Sequence, residues 1–361
     1  MTSDPTRPEQ ITAFLAHAGW ADAVLQWFDQ DASTRRYGRL SRSDGATAIL
    51  MDAPRIEDPP CRPGMSAQER EKLGWNALTR LASSRVEAFV AIAQHLNDVG
   101  LRPPAILAFE TRSGLALIED FGSELEFARL IEQGVREIPL YQQAAADLAR
   151  LHRHPEPGTL RAGDVEWPIL DFDEIALRTN ADLYADWFHH FDPSARMTDS
   201  DRGHWNTARD QLIRHAMDFP RAFTLRDYHA ENLLWLPEGR VGLLDFQDAV
   251  IGWDAWDMAM LTQDARRQVS TAAEQAAIRA YLDASGKDES SFMERLAVIG
   301  TLNALRIAGV FARLVHRDGK PRYIDFMPQQ LLMLRRNLAH PAVAEMRAFI
   351  ASTAPHILEG P

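Results

Sequence analysis

The sequence predicts an α+β protein of two lobes, a small strand-rich lobe at residues 1–121 and a larger helical lobe at 122–361. Three observations carry this expectation. Short apolar runs bounded by Gly, Pro, Asp and Ser turns fill the first third of the chain. Long runs with helical apolar spacing fill most of the remainder. One short apolar strand, Val241 to Phe246, interrupts the helical part just after a polar loop, Asp227 to Asn232.

The elements follow in order. Ile11, Phe14, Leu15 and Ala18 lie on one face of a helix over about residues 9 to 18, which Gly19 interrupts, and a second apolar group follows at Val24, Leu25 and Phe28. Arg36 to Ser41 and Ala46 to Asp52 read as a hairpin across the turn Arg42-Ser43-Asp44-Gly45. Ile56 to Met65, rich in Pro and Gly, reads as a loop. Val86 to Val99 is an amphipathic helix, and Pro103 to Ala108 and Leu115 to Glu119 read as strands around Ser113-Gly114. Past Phe121-Gly122 the pattern turns helical, with helices at Tyr141–His152, Trp205–His215, Ala272–Ala284, Phe292–Val315 and Gln329–Leu338.

At 46% hydrophobic and 25% charged residues, the chain has core enough to fold without disulfides or metal staples. Its single cysteine, Cys61, offers neither a disulfide nor a thiolate metal cluster. The net charge of −12 disfavours nonspecific nucleic-acid binding, which depends on neutralising phosphates. The opening MTSDPTRPEQ lacks the layout of a signal peptide, and no apolar run looks long enough to cross a bilayer, so the expectation is a cytoplasmic protein. Only three of the 39 basic residues are lysines, Lys72, Lys287 and Lys320.

The chemistry concentrates in LRDYHAENLLWL, residues 225–236, and LLDFQDA, residues 243–249. Phosphoryl transfer from ATP asks a protein for positioning and charge stabilisation rather than covalent chemistry. Asp227 can orient an acceptor hydroxyl and take its proton. Asn232 and Asp245 supply an amide oxygen and a carboxylate, the hard ligands that Mg²⁺ prefers. An Asp-x4-Asn alone more often marks a turn with a capping side chain. The strand that follows and ends in Asp245 makes the phosphotransfer reading the stronger one.

LARLH (148–152), LRDYHAENLL (225–234), LLDFQDA (243–249) and WDMAML (256–261) come in the order of the landmarks of the aminoglycoside phosphotransferase family, which the chain resembles over nearly its whole length. The resemblance implies a protein-kinase-like bilobal fold, ATP and Mg²⁺ as cofactors, Asp227 as catalytic base and Asn232 and Asp245 as metal ligands. It also implies that the backbone of the hinge, Glu119 to Phe121, holds adenine. ASTRRYGRL (32–40), ILMDAP (49–54) and FARLVHRDGKPRY (311–323) look like the branch of bacterial kinases that phosphorylate N-acetylmuramate and N-acetylglucosamine at the anomeric hydroxyl in cell-wall recycling. Two departures stand out. Leu225 replaces a common His. No lysine lies on the third strand, where kinases hold the phosphates. Arg35 and Arg36, with Arg39, are chemically sound substitutes, because guanidinium forks to phosphate, and solvated strand arginines are the equal alternative; Ser33 and Thr34 are weaker donors to it.

On the acceptor side, His229 and Glu231 in the loop and Arg306 on a later helix are candidate substrate contacts. Arg306 and Arg313 share a helix face, and a cation there could meet the lactyl carboxylate of N-acetylmuramate; an ordinary salt bridge is the commoner alternative. Asp257 resembles a family residue that braces the catalytic loop, and its place before an apolar helical run reads as a helix cap, a structural role either way. Trp253 and Trp256 could stack on a sugar face, with ordinary core packing the better supported reading. The functional expectation is an ATP-dependent amino-sugar kinase with a small-molecule partner. The alternatives are an aminoglycoside or other small-molecule phosphotransferase and a catalytically inactive nucleotide-binding protein.

Overall fold

The computed structural model describes residues 5–29, 35–55 and 59–359. Helix α1 (Arg7–His17) precedes β1 (Val24–Trp27), β2 (Arg36–Ser41) and β3 (Thr47–Asp52). Two short helices, α2 (Ala67–Leu73) and α3 (Trp75–Thr79), and the longer α4 (Val86–Asp98) then lead to β4 (Ile106–Glu110) and β5 (Leu115–Glu119). The strands form one antiparallel sheet in the order β1-β2-β3-β5-β4. The apolar group at Val24 to Phe28 is therefore the edge strand of the sheet.

Successive side chains of a strand point to opposite faces, and the sheet uses both. Leu40, Ala48, Leu50, Leu115 and Leu117 pack with Ile11, Phe14 and Leu15 of α1. Met51, Ala116 and Ile118 turn the other way, join Phe89 and Ile92 of α4, and merge into the core of the second lobe. This continuity seats the small lobe on the large one.

The second lobe begins with α5 (Phe127–Glu132) and α6 (Glu137–Leu151), followed by the hairpin β6 (Thr159–Ala162) and β7 (Val165–Pro168), then α7 (Glu174–Trp187) and α8 (Asp199–Met217). Next come β8 (Ala222–Thr224), β9 (Leu233–Trp235), β10 (Val241–Leu243) and β11 (Val250–Gly252), paired as β8 with β11 and β9 with β10. Helices α9 (Asp254–Thr262), α10 (Thr271–Ser285), α11 (Glu289–His316), α12 (Met327–Leu338), α13 (Ala344–Thr353) and α14 (His356–Glu359) complete it.

Helix α11, at 28 residues, corrects the expectation from hydropathy: it is long and apolar enough to cross a membrane, but 78% of its apolar window is buried inside this fold. Its Gly309 allows close approach to α7, since a Cβ there would lie 2.2 Å from the Leu183 carbonyl carbon.

The β9–β10 hairpin docks against the hinge after β5. Leu243 N–H donates to the Arg102 carbonyl at 3.0 Å, and Trp235 N–H donates to that of Leu125 at 2.8 Å. Gly242 faces the Phe121 ring, which a Cβ would approach to 3.1 Å. The β9–β10 hairpin and the segment after β5 thus share one packed contact.

Candidate active site

The loop that carries Asp227 leaves β8 and is fixed from behind. Asp257, fully buried in the first turn of α9, accepts the backbone N–H groups of Leu225 at 2.7 Å and Arg226 at 2.8 Å. Of the two structural readings, the structure has the brace and not the cap: the N-cap of α9 is Trp253, and the Asp257 carboxylate serves a loop 31 and 32 residues earlier. Two buried N–H groups meeting one carboxylate make charge-assisted hydrogen bonds. Arg226 has φ +77°, a strained backbone for a residue other than glycine. Its guanidinium lies 4.7 Å over the Phe172 ring and donates to the Thr79 carbonyl at 3.1 Å, so the α3 segment clasps the loop. Trp256 Nε1 donates to the Arg226 carbonyl at 3.2 Å. Trp253 and Trp256 are both buried, as expected of core residues.

Asp227 is partly buried, and its carboxylate accepts no hydrogen bond from any described residue. Burial raises its carboxyl above the ordinary range; Arg306 opposes the rise, and the charge of Asp245 adds to it. A free carboxylate with raised proton affinity suits a group that must take a proton from an acceptor.

Asn232 Nδ2 donates to the Asp227 carbonyl at 2.9 Å. A carbonyl can only accept, so the amide nitrogen faces it and Oδ1 points elsewhere. Asp245 stands at the end of the hairpin with φ +55°; its Oδ1 accepts from Arg35 at 2.7 Å and from Gln247 Nε2 at 2.9 Å. One amide oxygen and one carboxylate fit Mg²⁺, which is usually held by one or two such groups plus the phosphates of the nucleotide. No cluster of three or more His, Cys, Asp or Glu side chains suited to a metal occurs among the described residues, so a metal cage built from protein alone has no support.

The three arginines of the hairpin separate clearly. Arg39 forms a two-pronged pair with Asp120 at 2.7 and 3.0 Å. Arg36 pairs with Asp52 at 2.6 Å and lies 4.4 Å over the Trp27 ring. Arg36 and Arg39 are thus committed within the small lobe, and Arg35 alone of the three reaches Asp245 in the cleft. Burial opposes the charge of Arg35, but Tyr37, Asp245 and Asp248 hold it protonated. Ser33 and Thr34 lie outside the described residues. The Glu119 side chain pairs with Arg102 at 2.6 Å, and its N–H donates to the Ala105 carbonyl at 2.9 Å. The Phe121 ring lies under the Arg102 guanidinium at 4.9 Å. Replacing Arg35 with Met is expected to raise the KM for ATP about 10-fold or more while leaving the acceptor KM within twofold. Equal effects on both constants in steady-state kinetics would contradict a nucleotide-side role.

Beside Asp227, a cavity of about 90 Å³ opens between the catalytic loop, the end of α9 and the middle of α11, lined by Asp227, Met260, Asp264, Arg266, Arg306 and Phe311 among others. A wider cavity of about 720 Å³ between Phe191, Leu331, Leu332 and Ile357 holds none of the candidate residues. Arg306 makes no ion pair with any described residue. Its Nε donates to Asn303 Oδ1 at 3.0 Å, its guanidinium lies 5.5 Å over Trp256, and burial pushes its pKa down to about 10. The alternative of an ordinary salt bridge is not what the structure has at Arg306. Arg313 points elsewhere, over Trp75 at 4.9 Å.

His229 is only 5% exposed. Its Nε2 lies 3.2 Å from both Asn232 Nδ2 and Arg266 NH1, which are donors, so the ring is neutral with its proton on Nδ1, and burial lowers its pKa to about 3. Glu231 is exposed and pairs with Arg266 at 3.1 Å. Sequence reasoning missed Asp264, Arg266 and the clasp from α3. Asp264, nine positions before Ala273 and two before Arg266, sits in a stretch whose only signal was a pair of arginines after an acid.

With this geometry in hand, comparison with known proteins is informative. The phosphotransferase enzyme family matches residues 24–294. An N-acetylmuramate/N-acetylglucosamine kinase of Caulobacter vibrioides is 42% identical over 98% of this chain and 99% of its own. One of the same name from Pseudomonas aeruginosa is 29% identical over 97% and 98%. Among solved structures, a choline/ethanolamine kinase family protein from Mesorhizobium loti aligns with a TM-score of 0.57 at 13% identity, over 98% of this chain and 100% of that one. An ADP-bound aminoglycoside phosphotransferase aligns at 0.52 and 11% identity, over 92% and 99%. The kinase-like fold is common to all of them.

Proposed function

This chain belongs to the phosphotransferase enzyme family, and from that premise we propose that it is an ATP-dependent kinase of N-acetylmuramate and N-acetylglucosamine, acting at the anomeric hydroxyl. The relative at 42% identity over nearly both full lengths carries the substrate class. The single structural observation that supports it is the free Asp227 carboxylate beside a cavity that also holds Arg306 and Arg266.

In this reading the C1 hydroxyl of the sugar sits against Asp227. The sugar oxygen forms a bond to the γ-phosphorus, the bond from that phosphorus to the β–γ bridging oxygen breaks, and the hydroxyl proton passes to Asp227. The anomeric hydroxyl is more acidic than an ordinary alcohol, which eases that transfer. Asn232 Oδ1 and Asp245 would hold Mg²⁺, which when bound neutralises phosphate charge. Asn232 is kept in place by the Asp227 carbonyl and by His229, and Arg35 brings a cation to the same edge of the cleft. The enzyme would serve cell-wall recycling in the cytoplasm.

The cavity lining is mixed in charge, with Arg306 and Arg266 beside Asp227 and Asp264, and Arg266 is paired with Glu231. Arg306 is the cation there without an ion pair among the described residues, and at its side of the cavity it favours a neutral or anionic acceptor group. Arg306, which has no carboxylate in an ion pair with it among the described residues, is a fit for the lactyl group that N-acetylmuramate has and N-acetylglucosamine lacks. Arg306→Gln is therefore expected to raise the KM for N-acetylmuramate about 10- to 100-fold and that for N-acetylglucosamine less than threefold. Equal losses on both sugars would remove the lactyl assignment. The function itself is tested by following ADP release with each amino sugar and with kanamycin. Release that depends on the amino sugars supports the reading, and release with kanamycin alone refutes it.

A further inference from the structure

We infer that Asp264 is a specificity-determining residue whose Oδ2 accepts a hydrogen bond from a ring hydroxyl of the acceptor sugar. The inference rests on the amino-sugar reading above. Asp264 follows the end of α9 and lines the same cavity as Asp227 and Arg306. It is 3% exposed. Its Oδ1 accepts the backbone N–H of Arg266 at 2.9 Å, which fixes the orientation of the carboxyl. Its Oδ2 is buried and has no hydrogen-bond partner among the described residues.

A buried acceptor left unmatched is costly and uncommon in a native fold, so its partner is to be sought. The nearby cation does not supply it. The Arg266 side chain is committed to Glu231 through Nε at 3.1 Å and to His229 through NH1 at 3.2 Å. Burial raises the Asp264 carboxyl to about 6, with the charge of Glu231 adding to the rise and Arg266 and Arg267 opposing it. Its Oδ2 has no donor among the described residues. Burial raises the Tyr141 phenol and the charge of Asp264 adds to the rise; its buried hydroxyl also has no hydrogen-bond partner among the described residues.

The chemistry of the partner follows from the surroundings. Arg306, which lines the same cavity, disfavours a cationic partner. A neutral hydroxyl donates to a carboxylate without that conflict. The volume of about 90 Å³ is well below the roughly 300–1,000 Å³ of clefts that enclose a whole ligand, so the cavity encloses only part of the sugar. With C1 at Asp227, Asp264 meets a hydroxyl on another carbon. The two amino sugars differ at O3, which carries the lactyl ether in N-acetylmuramate. A group that serves both therefore acts at O4 or O6.

The test compares wild type with Asp264→Asn, using N-acetylglucosamine and its 4-deoxy and 6-deoxy analogues. Asparagine keeps an oxygen for the Arg266 N–H and turns the other acceptor into a donor. The expected result is a sugar KM about 10- to 100-fold higher, an ATP KM within twofold of wild type, and an unchanged melting curve. One deoxy analogue should lose comparably in wild type and lose nothing further in the variant. An unchanged sugar KM would mean that water or Tyr141 satisfies the carboxylate, and would overturn the inference. So would additive losses of the variant and both analogues. A wild-type protein that transfers to neither amino sugar would instead overturn the functional reading beneath it. If the variant does not fold, amide exchange of the wild type decides. Protection of residues 263–267 by N-acetylglucosamine is expected, and its absence refutes the role.

Discussion

Replacing Asp227 with Asn lowers kcat by about 10²- to 10⁴-fold and leaves the melting curve unchanged, the range a positioned general base contributes. The rate effect follows from the free carboxylate, which has no donor among the described residues and a proton affinity raised by burial. The absence of a stability effect follows from the same fact. The loop is held by its backbone, through Asp257 and the Asp227 carbonyl, rather than by the Asp227 side chain. Steady-state kinetics and thermal melting of the variant check both halves. A variant with near wild-type turnover would remove Asp227 from the mechanism. A variant that unfolds would show that the carboxylate is a structural group.

Asp257→Ala is the reverse case, with large losses in both stability and rate. It strips the acceptor from the buried Leu225 and Arg226 N–H groups, each of which then carries an unmet desolvation cost of about 1–3 kcal/mol, for a total of about 2–6 kcal/mol. The strained backbone of Arg226 depends on that anchor, so the loop that presents Asp227 relaxes. Asp257→Asn should fall between, since its one carbonyl oxygen can serve only part of the pair. Denaturant unfolding and kcat for the two variants give the order. Wild-type values for Asp257→Ala would contradict the brace.

The candidate set was legible because it is local. Asp227, Asn232 and Asp245 lie within nineteen positions, and the apolar runs between them announce the β9–β10 hairpin that positions their side chains. Much of the sheet was legible for the same reason, with β2 and β5 bounded as their apolar pattern implies. The partners that act over distance were not. Arg35 meets Asp245 across 210 positions, and no pattern in the hairpin sets it apart from Arg36 and Arg39. Register alone decides that Arg36 faces Asp52, its partner on β3, while Arg39 turns to Asp120. The α2–α3 segment was hidden by its short helices, which lie too close to Gly and Pro for a period to emerge. For Asp257 the resemblance named a brace and the local pattern a cap, because a place in the first turn serves either; burial and the two N–H partners decide for the brace.

The claim that joins these residues is transfer of the γ-phosphoryl group of ATP to the anomeric oxygen of an amino sugar. ³¹P NMR of the products formed from Mg·ATP with N-acetylmuramate, and separately with N-acetylglucosamine, tests it most directly. The account predicts ADP and a new acid-labile sugar phosphate whose phosphorus couples to the proton on C1. A phosphate on another hydroxyl, or ATP left intact with both sugars, would contradict it.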